Sequence, residues 1–411
     1  MITVYPPLGA TPGNPTVVTF AGTTALDAFG RLRVSEPFTL FDSQNRYAKD
    51  DQFSESTASG GSATFLTNES SVAMTVTSTT NSQVVRQTFR NMPYQPGKSL
   101  LLLATFAFSD VAGLRQRVGY FNTQNGCFFM QNGTGLSFNI RTYTGGSVND
   151  TRSVTQANWN GDKLDGTGPS GITLDVTKTQ ILFTDFEWLG VGNVRCGFVI
   201  NGAFIVCHTF QNANQTTSTT VYMQTAILPI RYEITNLGGA GGTLKQICST
   251  IISEGGYQQM VADTVVRRTS ILGTISTTFL PLLSVRLNAS HLGAVVLVNR
   301  VNVLPTTNQS YEVVLVKNST LTGASWVTGG YQNLDYDVTA TAMTTSTTSI
   351  VQNDYVTSSS QGRTVLAAPT GYNFDYQLGV SLADTSDIYT IGIRTVSGAT
   401  TGDAVASLAL Y

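Results

Sequence analysis

The dipeptide Asn201-Gly202, set inside the run VRCGFVINGAFIVCH from Val194 to His208, constrains this chain more tightly than any other feature. An Asn-Gly pair supplies the two positive φ angles of a type I′ two-residue turn, and β-branched and aromatic residues flank it on both sides. Closing that turn predicts the pairs Ile200 with Ala203, Phe198 with Ile205 and Cys196 with Cys207 on one wholly apolar face. The other face pairs Val199 with Phe204, Gly197 with Val206 and Arg195 with His208, apolar near the turn and charged at its far end. A hairpin of this kind packs on both sides. Its cysteines and histidine are therefore accounted for as core and edge residues before any chemistry is invoked.

The rest of the chain repeats the theme. Across 411 residues only 12% are charged, the net charge is -2, and 39 are glycine; Ser, Thr and Asn fill the exposed positions. Sheet surfaces that meet other subunits suit this composition, because few long charged side chains must be desolvated on assembly. A duplex nucleic-acid binder needs a basic stripe, and none is visible, so no nucleic-acid partner is expected. The four cysteines, at 127, 196, 207 and 248, lack Cys-x-x-Cys or Cys/His spacing, so neither zinc nor another metal is expected. Cys196 and Cys207 fall at a hydrogen-bonded hairpin pair, where Cα atoms lie about 5.5 Å apart and disulfide geometry is harder to meet. Buried free thiols and assembly in a reducing cytoplasm follow as expectations. The N-terminal MITVYPPLGATPGNP has no signal-peptide pattern, and the longest apolar run, Leu100 to Ala104, is too short to span a bilayer, so no membrane association is expected.

The predicted fold class is all-β: two β-sandwich, jelly-roll-like domains preceded by an extended N-terminal arm. Residues 1–50 form the arm, punctuated by Pro6, Pro7, Pro12, Pro15 and Pro37, with one strand-like alternation from Leu26 to Val34. It docks against its own domain or, the favoured reading, against a neighbour. Residues 51–255 read as a lectin-like sandwich. Its strands are expected at 71–78, 83–90, 98–108, 115–121, 127–131, 136–144, 179–189, the 194–210 hairpin, 222–225, 230–235 and 244–253, with a hydrophilic loop at 145–171. Residues 256–411 form a Thr-rich second sandwich, with strands at 274–286, 294–303, 311–317, 336–341, 363–367, 374–378, 388–394 and 404–411. Within it Tyr311, Val313 and Leu315 alternate with Glu312, Val314 and Val316 as a half-buried strand does.

Candidate chemistry is sparse. Asp185 and Glu187, in LFTDFEWLG, share a strand face, as do the acid pairs of sandwich-fold glycosidases, whose carboxyl groups stand about 5 to 5.5 Å apart in retaining enzymes. The third in-step carboxylate of that class is missing, since 183 is Phe and 189 is Leu, so a polar rim or subunit contact is the simpler reading. Asn158, Asn160, Asp162 and Asp165 could cup calcium, but their spacing fails the EF-hand pattern and suits a turn-rich loop. His208 and His291 have no sequence partner, and no Gly-x-Ser-x-Gly elbow or phosphate loop occurs. Arg31, Arg33, Arg86, Arg90, Arg115 and Arg117 fall in alternate pairs or near-pairs that suit acidic partners, anionic glycans or a solvated sheet face. Tyr120, Phe121, Phe128 and Phe129 read as core in preference to a sugar-stacking platform.

Several segments together carry a family resemblance: LDAFGRLRVSEPFTLFDSQNRY, the RQTFR and YQPGKS runs, RVGYFNTQNGCFFM, the stretch from WNGDKLDGTGPSG to HTFQNAN, and LPIRYEITN followed by QICSTIISEGG. Over residues 25–260 the chain resembles a group of virion structural proteins of tailed bacteriophages, for which no catalytic residues are assigned. The resemblance implies a non-enzymatic component of the particle exterior, such as a capsid decoration, head fibre, collar or tail-attached protein. Other virion proteins would be its partners, with no cofactor, and it would assemble as a homo-oligomer, a trimer being the commonest form of such appendages. Phe29, Arg31 and Arg33 would anchor the arm, while Phe204 and Val206 would meet a second layer or a neighbour. The alternative is a tail module that binds a host receptor or surface glycan, with or without a polysaccharide-degrading site.

Overall fold

The computed structural model describes residues 36–215, 219–258, 264–269, 274–307, 309–331, 333–346, 349–357, 364–367, 376–398 and 404–410. The described residues are all-β, with short 3-10 turns at Gln156–Asn158 and Ala289–His291. The first fifteen strands are β1 Phe38–Gln44, β2 Phe53–Ala58, β3 Ser62–Leu66, β4 Ser71–Val76, β5 Gln83–Thr88, β6 Leu100–Ala107, β7 Leu114–Phe121, β8 Gly126–Asn132, β9 Gly135–Thr142, β10 Asn149–Thr155, β11 Gln180–Phe186, β12 Val194–Ile200, β13 Ala203–Phe210, β14 Ile230–Asn236 and β15 Gly242–Ser253. They pair antiparallel into two sheets, ordered β13-β12-β11-β6-β15-β4-β3 with β1 also on β15, and β10-β9-β8-β7-β14-β5-β2.

Period-two alternation explains why these sheets face each other. Leu182, Phe186, Phe198, Leu102 and Phe106 project from the first sheet, and Val118, Tyr120, Phe129, Phe138 and Tyr232 from the second, into one shared core. Phe129 sits at its centre, 5.2 Å from the Phe198 ring and 5.9 Å from Phe106. Each such buried aromatic contributes about 1.5–3 kcal/mol of transfer free energy.

The remaining strands are β16 Thr264–Arg268, β17 Leu280–Leu287, β18 Val298–Pro305, β19 Ser310–Lys317, β20 Leu321–Thr322, β21 Leu334–Asp337, β22 Ala342–Met343, β23 Ile350–Thr357, β24 Thr364–Ala367, β25 Ile388–Thr395 and β26 Ala404–Leu410. A sheet ordered β16-β26-β18-β24 packs on one ordered β21-β17-β25-β19-β23, making the second sandwich around Leu283, Val285, Val301, Tyr311, Ile391 and Leu408. The half-burial expected for 311–316 does not hold. Tyr311, Val313 and Leu315 enter this core, while Val314 and Val316 are buried on the opposite face against Phe279 and Met343.

Several local expectations are corrected. Phe38–Gln44, read as part of the arm, is a strand of the first sandwich, registered against Ser253 to Cys248. Residues 222–225 are irregular, and the loop at 145–171 contains β10. The hairpin turn forms as expected, with φ of 53° at Asn201 and 79° at Gly202, and its register holds as far as Gly197 opposite Val206. Beyond that point a bulge at Cys207 shifts the pairing, so Cys196 faces His208 and Arg195 faces Thr209. The cause lies outside the hairpin: the amides of Gly161 and Asp162 donate to the carbonyls of Cys207 (2.8 Å) and Val206 (3.0 Å), capping this edge strand. His208 is thereby buried beside Phe210, at 4.5 Å between rings, and is not paired with Arg195. Cys127, Cys196 and Cys207 are buried free thiols, whereas Cys248 is exposed, against the expectation for all four.

The two sandwiches touch directly. Val380 N donates to Phe89 O (2.8 Å), Gln377 Nε2 to Asn91 O (2.9 Å) and Leu382 N to Ser54 Oγ (3.0 Å).

Candidate functional site

The outward face of the second sheet is the most chemically organised surface among the described residues. Because Ile230, Tyr232 and Ile234 point into the core, Arg231, Glu233 and Thr235 of β14 point away from it. On β7 the same alternation turns Arg115, Arg117, Gly119 and Phe121 outward, and register sets Arg117 beside Glu233 and Gly119 beside Arg231. Phe128 of β8 lies next to Gly119, and Arg141 of β9 next to Gly126. Glycine is required at 119, where a Cβ would come within 2.4 Å of the Cys127 carbonyl oxygen.

Glu233 is the hub. Its Oε2 accepts from Arg231 Nε (3.0 Å) and Nη2 (2.9 Å), its Oε1 contacts Arg117, and Arg115 Nη2 stands 3.6 Å from the same oxygen. Burial alone works to raise its pKa, yet Arg117 and Arg231 hold the carboxyl down at about 2. Arg231 also donates from Nη1 to Gln87 Oε1 (2.9 Å), and burial lowers its pKa, with Arg117 and Arg141 adding repulsion. Arg141 grips Asp150 through two 2.8 Å bonds, which lower the Asp150 pKa. These guanidinium groups roof two phenylalanines: Arg117 lies 5.7 Å from Phe121 and 5.6 Å from Phe128, Arg231 lies 5.6 Å from Phe121, and Arg141 lies 5.4 Å from Phe128.

Arg231 also lines a cleft of about 660 Å³ at the junction of the two sandwiches. Its first wall is the loop at 122–125 with Gln87 and Gln224; its second is the turn at 289–294 with Ser381 and Asp384. Both walls are held by their own hydrogen bonds. Asn122 Oδ1 accepts from the amides of Gln124 and Asn125 (2.8 Å each), Asn125 Oδ1 accepts from Gln224 N (3.0 Å), and Asn288 caps the turn by accepting from Ser290 N (2.9 Å). Amide and hydroxyl side chains make up about half of the lining, apolar residues most of the rest, with Arg231, His291 and Asp384 as its ionisable side chains.

The residues singled out by sequence fare unevenly. Arg115 and Arg117 belong to this face, but Arg86 is buried against Glu55 (2.7 Å) on the inner side, and Arg90 bonds Gln52. Tyr120 and Phe129 are core, whereas Phe121 and Phe128 lie under the arginines. Asp185 lies on the outer side of β11, where Arg195 contacts its carboxylate, but Glu187 falls just past the end of the strand and is exposed, so the expected pair is not carried on one strand. Burial nevertheless raises the Asp185 pKa, outweighing Arg195. Phe204 packs on Phe183 at 5.1 Å between rings and is 54% exposed, with Ile181 at 39% and the half-buried Val206 nearby on the same sheet. Phe29, Arg31 and Arg33 lie outside the described residues. The supposed calcium loop spends its oxygens internally: Asp162 accepts from Leu164 N (2.9 Å) and Ser170 N (2.7 Å), Asp165 from Thr167 N (2.9 Å), and Asn160 from Thr209 N (2.8 Å). Arg141, Asp150, Arg231 and Glu233 were missed by sequence reasoning. The alternation in LPIRYEITN was the signal that could have found the last two.

No family model matches the chain, and no curated protein matches it. Solved structures align with part of the chain at low scores. A protein of unknown function from Shewanella oneidensis MR-1 is 9% identical over 55% of this chain and 90% of its own, with a TM-score of 0.35. The Emp47p carbohydrate recognition domain is 10% identical over 57% and 99%, with a TM-score of 0.31. The CBM2 module of the Lactobacillus casei BL23 phage J-1 evolved Dit is 5% identical over 55% and 100%, with a TM-score of 0.34. Identities and scores this low assign neither ligand nor activity to this chain.

Proposed function

We propose that this chain is a non-enzymatic binding component of a tailed-phage particle, which holds a host-surface glycan in the cleft between its two sandwiches. The cleft carries this reading. Its volume lies within the range of about 300–1,000 Å³ common for ligand sites, and the amides and hydroxyls in its lining match the donor and acceptor demands of a polyhydroxylated ligand. Its walls are fixed by internal hydrogen bonds, so little ordering entropy is lost on binding. Asp384 is the one carboxylate among the described residues lining the cleft, which favours binding over the two-carboxylate chemistry of glycoside hydrolysis. Virion placement and assembly in the host cytoplasm rest on the sequence resemblance.

A second reading, cladding of the particle by subunit adhesion as a homo-oligomer, is favoured by the exposed apolar Ile181 and Phe204. One experiment separates the two. Thr123 is exposed on the cleft wall, so Thr123→Trp fills the cleft without touching the core. Purified protein is expected to adsorb to isolated host envelope polysaccharide, and the Trp variant to lose at least tenfold of that adsorption. Equal adsorption of both, or none by the parent, refutes the cleft reading. Loss of particle incorporation in Phe204→Ser, with adsorption intact, supports cladding.

A further inference from the structure

Resting on the glycan reading, and going beyond it to ligand class, we propose that the arginine face of the second sheet selects acidic polysaccharides, seating a carboxylate or sulfate of the sugar against Arg115, Arg117 and Arg231. Four guanidinium groups, Arg115, Arg117, Arg141 and Arg231, share this face with two carboxylates, Glu233 and Asp150, leaving a surplus of two positive charges in a chain whose net charge is -2. The donors are also under-used. Nε of Arg115 and Nε of Arg117 are buried without a hydrogen-bond partner, and Arg117 is 7% exposed. Those two nitrogens are closed to solvent, so an incoming oxyanion would meet the outer part of the Arg115 side chain, which is 31% exposed and stands 3.6 Å from its nearest carboxylate oxygen.

Position makes the face usable. Arg231 reaches the junction cleft, and Arg141 Nη1 donates to the carbonyl of Asn122 (3.2 Å) on the cleft wall, so the charged surface and the amide-lined cleft are continuous. A sugar chain lying in the cleft would present its hydroxyls to the amides and its acid group to the arginines. Across the cleft stand His291 and Asp384, and the Asp384 carboxylate repels that acid group, so this side favours the uncharged part of the chain. Planar guanidinium groups already stacked on Phe121 and Phe128 are oriented in advance for two-pronged contact with an oxyanion.

The test uses the full chain, with polygalacturonate and neutral dextran of matched length as probes in affinity electrophoresis. Polygalacturonate is expected to retard the protein more strongly than dextran, and the difference to shrink as salt rises. Arg115 suits substitution, since its side chain is 31% exposed and its ion contact is long. Arg115→Gln is expected to weaken polygalacturonate binding about threefold to fivefold, and Asp150→Asn, which enlarges the surplus, to tighten it about twofold. A purely structural network would not move affinity in opposite directions. Equal retardation by both polymers would overturn the charge assignment while leaving glycan binding standing. Retardation by neither would overturn both. Unchanged affinity in both variants, with parental melting temperatures, would also overturn it.

Discussion

Replacing Glu233 by Gln keeps the shape of the buried hub and removes its charge, leaving Arg117 and Arg231 facing each other with no counter-charge between them. Two independent routes give the size of the loss. Removing one partner of a buried ion pair typically costs about 3–5 kcal/mol. A carboxyl held at about 2 in the fold against an ordinary value of 4.5 contributes about 3 kcal/mol at neutral pH. Because the folded-state pKa is the depressed one, this contribution is fully present above pH 4.5 and disappears as pH falls from 4.5 towards 2. Hydrogen exchange resolves the effect locally, which matters in a chain whose two sandwiches need not unfold together. Amides of β7 and β14 that exchange through opening of this region should lose about two decades of protection at pH 7 in Glu233→Gln, while those of β17 and β25 in the second sandwich stay unchanged. The difference between parent and variant should vanish at the acid end of that window. Protection within about threefold of the parent at pH 7 would refute the idea that Glu233 holds the arginines together.

Other outcomes follow from the same geometry. With nothing within 4 Å of a Cβ at Gly202 and φ of 79° there, Gly202→Ala should destabilise the hairpin by about 1 kcal/mol through backbone strain alone, read as faster exchange in β12 and β13. Gly119→Ala meets the Cys127 and Phe128 backbone at 2.4 and 2.6 Å and should abolish soluble expression, whereas neighbouring Val118→Ile should not. Burial pushes the Cys127 and Cys207 thiols up to about 12 and Cys196 well above its ordinary value, so a thiol reagent at pH 8 should label one group, the exposed Cys248, quickly and the other three only on denaturation. Rapid labelling of two or more groups in the native protein would contradict that placement.

Much of this fold was legible because β structure writes a period of two into the chain. The Asn201-Gly202 turn set the hairpin pairing as far as Gly197 opposite Val206, and strands were expected at 115–121 and 230–235, where Leu114–Phe121 and Ile230–Asn236 form. Strands β2 (FSESTA) and β3 (SATFL) escaped notice because they lie at sheet edges, where polar residues stand in for the apolar pattern of a covered strand. Half of the candidate site was visible in Arg115 and Arg117. The other half was not, since nothing local says that Glu233, 116 residues from Arg117, will lie beside it.

What the chain decides by itself is local: which segments extend, where Asn-Gly turns them, and which side chains share a face. These depend on sterics and on alternation within a few residues. Partnership across the sheet is settled only when the fold closes. The Cys207 bulge exists because the Gly161 and Asp162 amides take the carbonyls beside it, and that turned His208 into the interior, away from Arg195. Strand order likewise brought four arginines around two carboxylates, and the meeting of the two sandwiches put Arg231 at the edge of a cleft. Hydrogen bonds and ion pairs act over a few ångströms of space and take no account of separation along the chain, so only the tertiary structure could choose these partners.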